Sequence, residues 1–212
     1  MRKLAVLVVA VVALLVVGDL VARGYAERNI ERAVEARSEQ IAHVNASIES
    51  FPFAGRLLVT GEVPHLVVTA TGLRGTGADL LESLRLDVHG LEIDRGVLID
   101  DGRVRVTGVD RVRVRAVLDG DLVAARASGA GIDVVVVDDG VEVSGLGRTE
   151  RATVEVAGDF VVLTAGDLPP LSIPVPPVAF IPCPVAVEVV DGDLVVTCET
   201  DMLPAVVLEA IG

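Results

Sequence analysis

The hydrophobic positions divide the chain into an apolar start, a stretch with helical spacing and a long series of short alternating runs. Two basic residues at positions 2 and 3 precede fourteen uninterrupted apolar residues, Leu4 to Val17. As a helix these cover about 21 Å, against about 30 Å for the hydrocarbon core of a bilayer. Extension to Ala22 gives about 28 Å and includes Asp19. The pattern predicts a signal or anchor segment over residues 1–22.

The charges at the start of the chain set its orientation. Basic residues before an apolar segment stay on the cytoplasmic side, so everything after residue 22 is predicted to be exported. Val16-Val17-Gly18 fits a cleavage site poorly. This leaves three alternatives: a retained anchor over residues 4–22 on the outer face of the membrane, a cleaved signal with secretion into the cell envelope, and a buried cytosolic helix.

The second region has the spacing of an amphipathic helix. Between Leu20 and about Ile48 there is no proline, and apolar residues recur at spacings of three, four and seven. We predict one long helix here, continuous with the apolar segment or close to it. Its charged residues from Glu27 to Glu39 are interpreted as a solvated face.

The third region predicts strands. Glycine and aspartate separate short runs of β-branched residues, and Asp138-Asp139-Gly140, Gly158-Asp159 and Asp191-Gly192 have the composition of hairpin turns. Residues 74–82 and 119–128 are predicted to be short helical connections. The fold class is therefore α+β, with residues 23–212 as one domain. The predicted strands are Leu66–Thr71, Leu84–Ile93, Val104–Leu118, Ile132–Val137, Val141–Ser144, Thr153–Ala157, Phe160–Thr164, Val185–Val190 and Leu194–Thr200.

Residues 168–184 hold seven of the ten prolines and cannot form a central strand. Their apolar side chains predict an ordered segment against the sheet. The two cysteines, Cys183 and Cys198, flank the last hairpin. A two-residue turn at Asp191-Gly192 places them diagonally on one face, which predicts a disulfide in an exported protein. Two buried thiols are the alternative.

Charge and motifs exclude several function classes. The formal net charge is −13, from 31 acidic and 18 basic residues, which disfavours nucleic acid as a partner. The histidines, His43, His65 and His89, lie in no metal or catalytic signature, and no phosphate loop or nucleophile elbow occurs. We therefore predict no catalytic residues, no metal, no cofactor and no enzyme activity.

One polar pattern has a defined geometry. Arginine occupies positions 103, 105, 111, 113 and 115, all odd-numbered. In a continuous strand these side chains share one face, while mainly valines occupy the other. Arg111, Arg113 and Arg115 are candidates for binding a phosphate head group. The alternative is a solvated face paired with carboxylates on neighbouring strands.

The order of features resembles the LmeA-like phospholipid-binding family of actinobacterial cell-envelope proteins over nearly the whole chain. The resemblance rests on the leader with Asp19 and the following helix, on Phe51-Pro52-Phe53 with Gly55-Arg56-Leu57-Leu58 and Gly61, on the run from Leu84 to Ile93, and on the proline-rich stretch before a last hairpin. It implies a long helix packed in a curved, largely antiparallel sheet, similar to tubular lipid-binding folds. It also implies phosphoinositide-type lipids and a link to lipoglycan assembly.

These observations together predict an extracytoplasmic phospholipid carrier at the cytoplasmic membrane, which holds acyl chains between the helix and the concave sheet. An aliphatic sheet with few aromatic residues can leave room for them. The alternative is a membrane-anchored scaffold for an unknown envelope protein. The apolar residues predicted to contact lipid are Ile30, Val34, Ile41, Phe51, Phe53, Leu57, Val112, Val114, Phe160, Phe180 and Ile181.

Overall fold

The computed structural model describes residues 2–37, 41–74, 80–128, 131–138, 140–145, 147–158, 160–174, 181, 183–205 and 207–208. Within them the α+β prediction is confirmed: one long helix precedes antiparallel strands in two sheets. The helices are α1 (Arg2–Arg37), α2 (Phe53–Val59), α3 (Arg95–Asp101) and α4 (Gly120–Ser128). The strands are β1 (Ile41–Ile48), β2 (Glu62–Leu73), β3 (Leu81–Ile93), β4 (Val106–Gly108), β5 (Arg111–Leu118), β6 (Asp133–Val137), β7 (Gly140–Gly145), β8 (Arg148–Ala157), β9 (Phe160–Thr164), β10 (Leu171–Pro174), β11 (Ala186–Val190) and β12 (Asp193–Thr200).

The larger sheet has seven strands and is strongly curled into a half-barrel. Its order is β1-β2-β3-β5-β12-β11, and β4 pairs with β3 beside β5. The smaller sheet has the order β10-β9-β8-β7-β6. Buried residues of both sheets and of α1 belong to one hydrophobic cluster. The concave side of the large sheet is therefore part of the protein's core.

The two ends of the large sheet lead into different helices. At the α2 end, Ile48 of β1 pairs with Leu66 of β2, and the chain continues into α2. At the α4 end, Leu118 of β5 pairs with β3 and β12 and is followed by α4, which packs against β6. The long helix α1 extends beyond the rest of the protein at the α2 end.

The predicted helix over residues 20–48 is wrong in its second part. Helix α1 ends at Arg37, and residues 41–48 form the edge strand β1. Alternate residues of β1 are buried, among them Val44, Ala46 and Ile48. Apolar residues at these positions fit a period of two, and pairing with β2 gives the backbone a ladder partner that local helical spacing does not reveal. The continuity of this helix with the apolar segment is confirmed.

The predicted strand Val104–Leu118 is interrupted. Its first part is the short β4, and the chain resumes as β5 at Arg111 after Asp110, whose backbone N–H donates to the carbonyl of His89. Gly90 opposite has φ +61, and a Cβ there would meet the Asp110 side chain at 2.0 Å. Arg103 and Arg105 precede β4 and lie outside the strands, so the alternation of β5 does not extend to them.

Several smaller expectations can be compared with the structure. The helical connection at 119–128 is confirmed as α4, whereas α2 and α3 were not predicted. Of the proline-rich stretch, residues 171–174 form the edge strand β10, while 175–180 lie outside the described residues. Most of the other predicted connection, 74–82, also lies outside them.

Candidate functional site

The concave face of the large sheet is aliphatic because paired residues on neighbouring strands point to the same side. Two rows cross it near the α2 end. Read from β1 to β5, they are Ile48, Leu66, Val88 and Val112, then Ala46, Val68, Leu86 and Val114. All eight are buried, and Val112 and Val114 have 0% exposure. At this depth other atoms contact the side chains on every side.

Helix α1 covers one side of this interior with residues spaced by four. Ala22, Ala26 and Ile30 are partly buried against the core, and Val34 is only 3% exposed. Side chains four apart lie on one helix face. The two alanines allow the helix backbone to approach closely, so α1 is the side wall of the apolar interior.

The adjacent line of α1, one residue further along, is a row of charged side chains that binds the edge of the sheet. Three glutamates accept hydrogen bonds from backbone N–H groups of β1 that point away from β2. The bonds run from Ile48 N to Glu27, from Ala46 N to Glu31 and from Val44 N to Glu35, at 2.8, 3.0 and 3.0 Å. We call these three bonds the carboxylate seam. The interpretation as a solvated face is therefore wrong for Glu27 and Glu31, which are half-buried, whereas Glu35 is exposed although its carboxylate binds β1.

Geometry explains why a helix can follow a strand in this way. Four residues of a helix rise about 6.0 Å, and two residues of a strand extend about 6.8 Å. Each step along the helix thus reaches the next outward N–H group of the strand. Unpaired groups of an edge strand are sites for aggregation, and the seam occupies three of them.

The same line continues towards the start of the chain. Arg23 donates to Glu27 at 2.9 Å and to the Ser47 hydroxyl at 3.4 Å. One turn earlier, the Asp19 carboxylate accepts from Phe53 N at 3.0 Å and from Ala54 N at 2.6 Å. Asp19 is 6% exposed, and the preceding Pro52 provides no side-chain cap for α2. A carboxylate from another helix therefore caps the start of α2.

Before Asp19 the helix has few contacts with the rest of the protein. Large apolar side chains there are mostly exposed, as Leu14 at 72% and Leu15 at 69% illustrate. Among the described residues, the segment Val9–Ala36 is long and apolar enough to cross a membrane, and 6% of its most apolar stretch is buried. By length and composition this is compatible with either a signal or an anchor.

The arginine row lies on the opposite, convex face of β5. Arg113 donates to Glu199 on β12 at 3.1 Å, and Arg111 lies 3.8 Å from the same carboxylate. Arg115 pairs in register with Arg85 on β3. Phosphate binding by these arginines stays a prediction, for a site separated by the sheet from Val112 and Val114.

An open groove of about 840 Å³ lies on this convex face. Its lining includes Arg85, Arg113 and Arg115 together with Asp87 and Glu199. Arg85 donates two hydrogen bonds to Asp87, at 3.0 and 2.9 Å. This hydrogen bonding, opposed by partial burial and aided by the opposite charge of each partner, lowers the pKa of Asp87 and raises that of Arg85. The groove therefore contains both signs of charge.

The histidines of the convex face form a stacked pair. The rings of His65 and His89 are 4.3 Å apart and nearly parallel. Glu49 lies 3.2 Å from Nδ1 of His65, and Asp87 lies 3.7 Å from its Nε2. Both ring nitrogens of His65 thus lie near carboxylates. No group of three potential metal ligands occurs among the described residues.

The residues predicted to contact lipid divide into two groups. Phe51 is 63% exposed beside α2, and Phe160 is 45% exposed on β9, so neither lines the interior. Phe180 lies outside the described residues. The core cluster contains Val34, Ile41, Phe53, Val112, Val114 and Ile181, and two further residues, Ile30 and Leu57, are partly buried against it.

The cysteines are joined. Cys183 and Cys198 form a disulfide with Cα atoms 5.9 Å apart. In the hairpin, Val190 pairs with Asp193 around Asp191-Gly192, which is the two-residue turn expected from the sequence. The bond ties the segment before β11 to the sheet.

Comparison with known proteins adds the family. The sequence model of the LmeA-like phospholipid-binding family matches residues 17–204. The chain belongs to this family. No curated protein and no solved structure matches the chain. Membership in the LmeA-like family confirms the resemblance and supports phospholipid as the ligand class.

The LmeA-like match begins two residues before Asp19 and includes the entire seam. Sequence reasoning identified the apolar side of α1 but missed the function of its carboxylates. A signal was present in the spacing of four acidic residues. They are separated by four or eight residues and lie directly beside the line of apolar residues on α1: Asp19, Glu27, Glu31 and Glu35. Such spacing shows that they share a face, but only the position of β1 shows what they bind.

Proposed function

We propose that this LmeA-like protein is an extracytoplasmic phospholipid carrier of the cell envelope, with residues 4–22 as its membrane anchor. Acyl chains enter between α1 and the concave face of the large sheet. The observation behind the proposal is that one continuous helix, α1, has two parts. Its exposed apolar part before Asp19, residues 2–18, is called the bare segment, and its later part is the wall of the aliphatic interior. Membrane lipid and protein interior are then neighbours along a single helix.

The composition of the interior suits a carrier. Burial of a methylene group is worth about 0.8 kcal/mol relative to water, and a bilayer provides nearly the same gain. Transfer of an acyl chain from a bilayer into an aliphatic interior is therefore close to neutral. A carrier needs this balance, because a chain that binds too tightly is not released.

Entry of a chain requires movement of a wall. Val112 and Val114 are completely covered, so a lipid has to displace the elements packed on them. Helix α1 is the best candidate because its contact with the sheet edge consists of carboxylate–amide hydrogen bonds. Water or a lipid head group can replace such bonds, since they lie at the margin of the core.

The remaining details rest on the family resemblance and on charge. A phosphoinositide-type ligand and a role in lipoglycan assembly are proposals of this kind. Arg111, Arg113 and Arg115 are proposed to contact a head group only when the lipid lies on the convex face. Acyl chains in the interior and a phosphate on these arginines would be on opposite sides of the sheet.

The proposal is tested by labelling the full chain in vesicles with a phospholipid whose acyl chain has a photoactivatable group. We expect adducts on α1 near Ile30 and Val34 and on β5 near Val112. Glu31→Ala removes a seam bond and should increase labelling of β5. Glu199→Ala removes a carboxylate from the convex face and should leave it unchanged. Adducts confined to residues 2–22 would contradict the carrier.

The complete covering of Val112 and Val114 also favours a second function, a membrane-anchored scaffold with a filled core. Strand β11 pairs with β12 alone in the part of the chain that the structure describes, and a free strand edge can add a strand of a partner. In the labelling experiment a scaffold gives no adducts on β5, with or without Glu31→Ala.

A further inference from the structure

Helix α2 is apolar on both of its sides. Phe53 is buried and Leu57 packs against the core. On the other side Leu58 and Val59 are 57% and 69% exposed, and Phe51 just before the helix is 63% exposed. A helix with large apolar side chains on two sides is typical of a site with apolar surroundings on both of them. The exposed side of α2 therefore lacks a covering partner among the described residues.

The level of α2 along the long helix is fixed by hydrogen bonds. Glu27 binds the backbone of Ile48, at the α2 end of the sheet. Asp19 lies two turns further out, about 12 Å along the axis, and binds the first amides of α2. Beyond this level α1 continues as the bare apolar helix. Helix α2 is thus the last layer of the protein before the proposed anchor.

The bare segment is slightly too short to span a bilayer by itself. Residues 2–18 cover about 25 Å, against about 30 Å for the hydrocarbon core. When the helix begins at the inner boundary, Asp19 therefore lies about 5 Å below the outer boundary of the hydrocarbon core, a mismatch that local thinning of the bilayer reduces. Asp19 tolerates this position because it is 6% exposed and bound to two amides.

We infer that the exposed side of α2, formed by Phe51, Leu58 and Val59, is a second membrane contact that inserts into the outer leaflet beside the anchor. This inference rests on the proposed anchor. Arg56 is the one charged residue of α2 and is exposed, so its long side chain can reach lipid phosphates while its neighbours contact acyl chains. The contact brings the α2 end of the sheet, and with it the margin between α1 and β1, onto the lipid surface.

The chain contains no tryptophan, so a single introduced tryptophan is an unambiguous probe. The experiment uses full-length Leu58→Trp and Val59→Trp in vesicles of phosphatidylcholine and phosphatidylglycerol, with brominated lipids as quenchers. Leu14→Trp in the bare helix reports the anchor. Val135→Trp is the matched control, because Val135 is 55% exposed on β6 at the α4 end.

We expect blue-shifted emission at positions 58 and 59, with a loss of intensity when bromine lies near the head-group end of the acyl chains. Leu14→Trp should be quenched most by bromine near the chain end, and Val135→Trp should not be quenched. Quenching at 14 but not at 58 or 59 would overturn the inference and leave the anchor intact. Blue-shifted but unquenched emission at 58 would indicate a second protein copy instead.

Absence of quenching at position 14 would overturn the anchor and the α2 contact together. The carrier proposal has a separate readout, because interior labelling by the photoactivatable lipid does not depend on tryptophan. Circular dichroism of each variant verifies the fold, and two probe positions on α2 protect the result against a local disturbance at one of them.

Discussion

Carboxylates along α1 and carboxylates on the convex face of the sheet differ in what they bind. Asp19 and Glu31 accept hydrogen bonds from backbone amides at the start of α2 and on the edge of β1. Asp87 and Glu199 bind arginine side chains on an exposed surface. Both kinds occur in a strongly acidic chain and look alike in the sequence.

The difference shows that a carboxylate contributes most to stability when it accepts a hydrogen bond from a donor that has few other acceptors. A backbone amide held at a helix start or sheet edge stays in place after its acceptor is removed, and a buried one then lacks a hydrogen bond. A guanidinium on the surface turns to water. We therefore expect the α1 carboxylates to determine stability and the convex ones to contribute little.

The largest effect is expected from Asp19→Ala. It removes two charge-assisted hydrogen bonds, one of them to the buried Phe53 amide, and should lower the free energy of unfolding by about 3 kcal/mol. The measurement is urea unfolding of the full chain in detergent, followed by circular dichroism. Asp167→Ala, at an exposed position, is the control and should change stability by less than about 0.5 kcal/mol. Equal values for the two variants would refute the capping role.

A smaller and more local effect is expected from Glu31→Ala, in the middle of the carboxylate seam. Loss of one charged acceptor should cost about 1 to 2 kcal/mol. Hydrogen exchange should accelerate at the Ala46 amide, while the Leu86 amide in the centre of the sheet serves as the reference. Glu31→Gln retains an acceptor oxygen and should give an intermediate rate. An unchanged rate at Ala46 would show that the bond is not formed in solution.

A still smaller effect is expected from Glu199→Gln on the convex face. Its side chain is 52% exposed and that of Arg113 is 56% exposed, and such surface pairs contribute about 0.2 to 1 kcal/mol. Unfolding in low and high salt measures the contribution, which should disappear at high salt. A loss as large as that of Asp19→Ala would remove the distinction between the two regions.

The smallest effect concerns pH. The hydrogen bond from Arg85 lowers the pKa of Asp87, so this pair stabilises the fold above the ordinary pKa of an aspartate. The contribution disappears as pH falls through the lowered value. In Arg85→Gln the pKa of Asp87 should rise towards the ordinary value, as NMR titration of the carboxyl carbon can measure. An unchanged pKa of Asp87 would mean that Arg85 is not the main cause of the lowering.

Much of the fold could be predicted because strand periodicity and turn composition are local. Phe160–Thr164 was predicted with its observed bounds, and the last hairpin with its turn at Asp191-Gly192. Residues 41–48 failed for a physical reason. Their apolar spacing is compatible with both a helix and a strand. Pairing with β2 decides between the two, and β2 is too far along the chain for local spacing to reveal it.

The candidate site was less predictable. Alternation correctly placed Val112 and Val114 on the face opposite to the arginines of β5. It could not show whether either face binds a ligand, or which ligand it binds. In the sequence, Asp19 was identified only as a polar residue within the apolar segment and as part of the family resemblance. Its value depends on α2, which itself was not predicted because seven residues give too little periodicity.

The carboxylate seam joins a helix and a strand whose repeats differ slightly in length. Four residues of the helix rise about 6.0 Å and two residues of the strand extend about 6.8 Å, so the two repeats differ by about 0.8 Å for each hydrogen bond. Over three hydrogen bonds the flexible glutamate side chains compensate for this difference. The pairing of a helix with a strand edge is therefore suited to a short strand such as β1, along which the accumulated difference stays within the reach of a glutamate side chain.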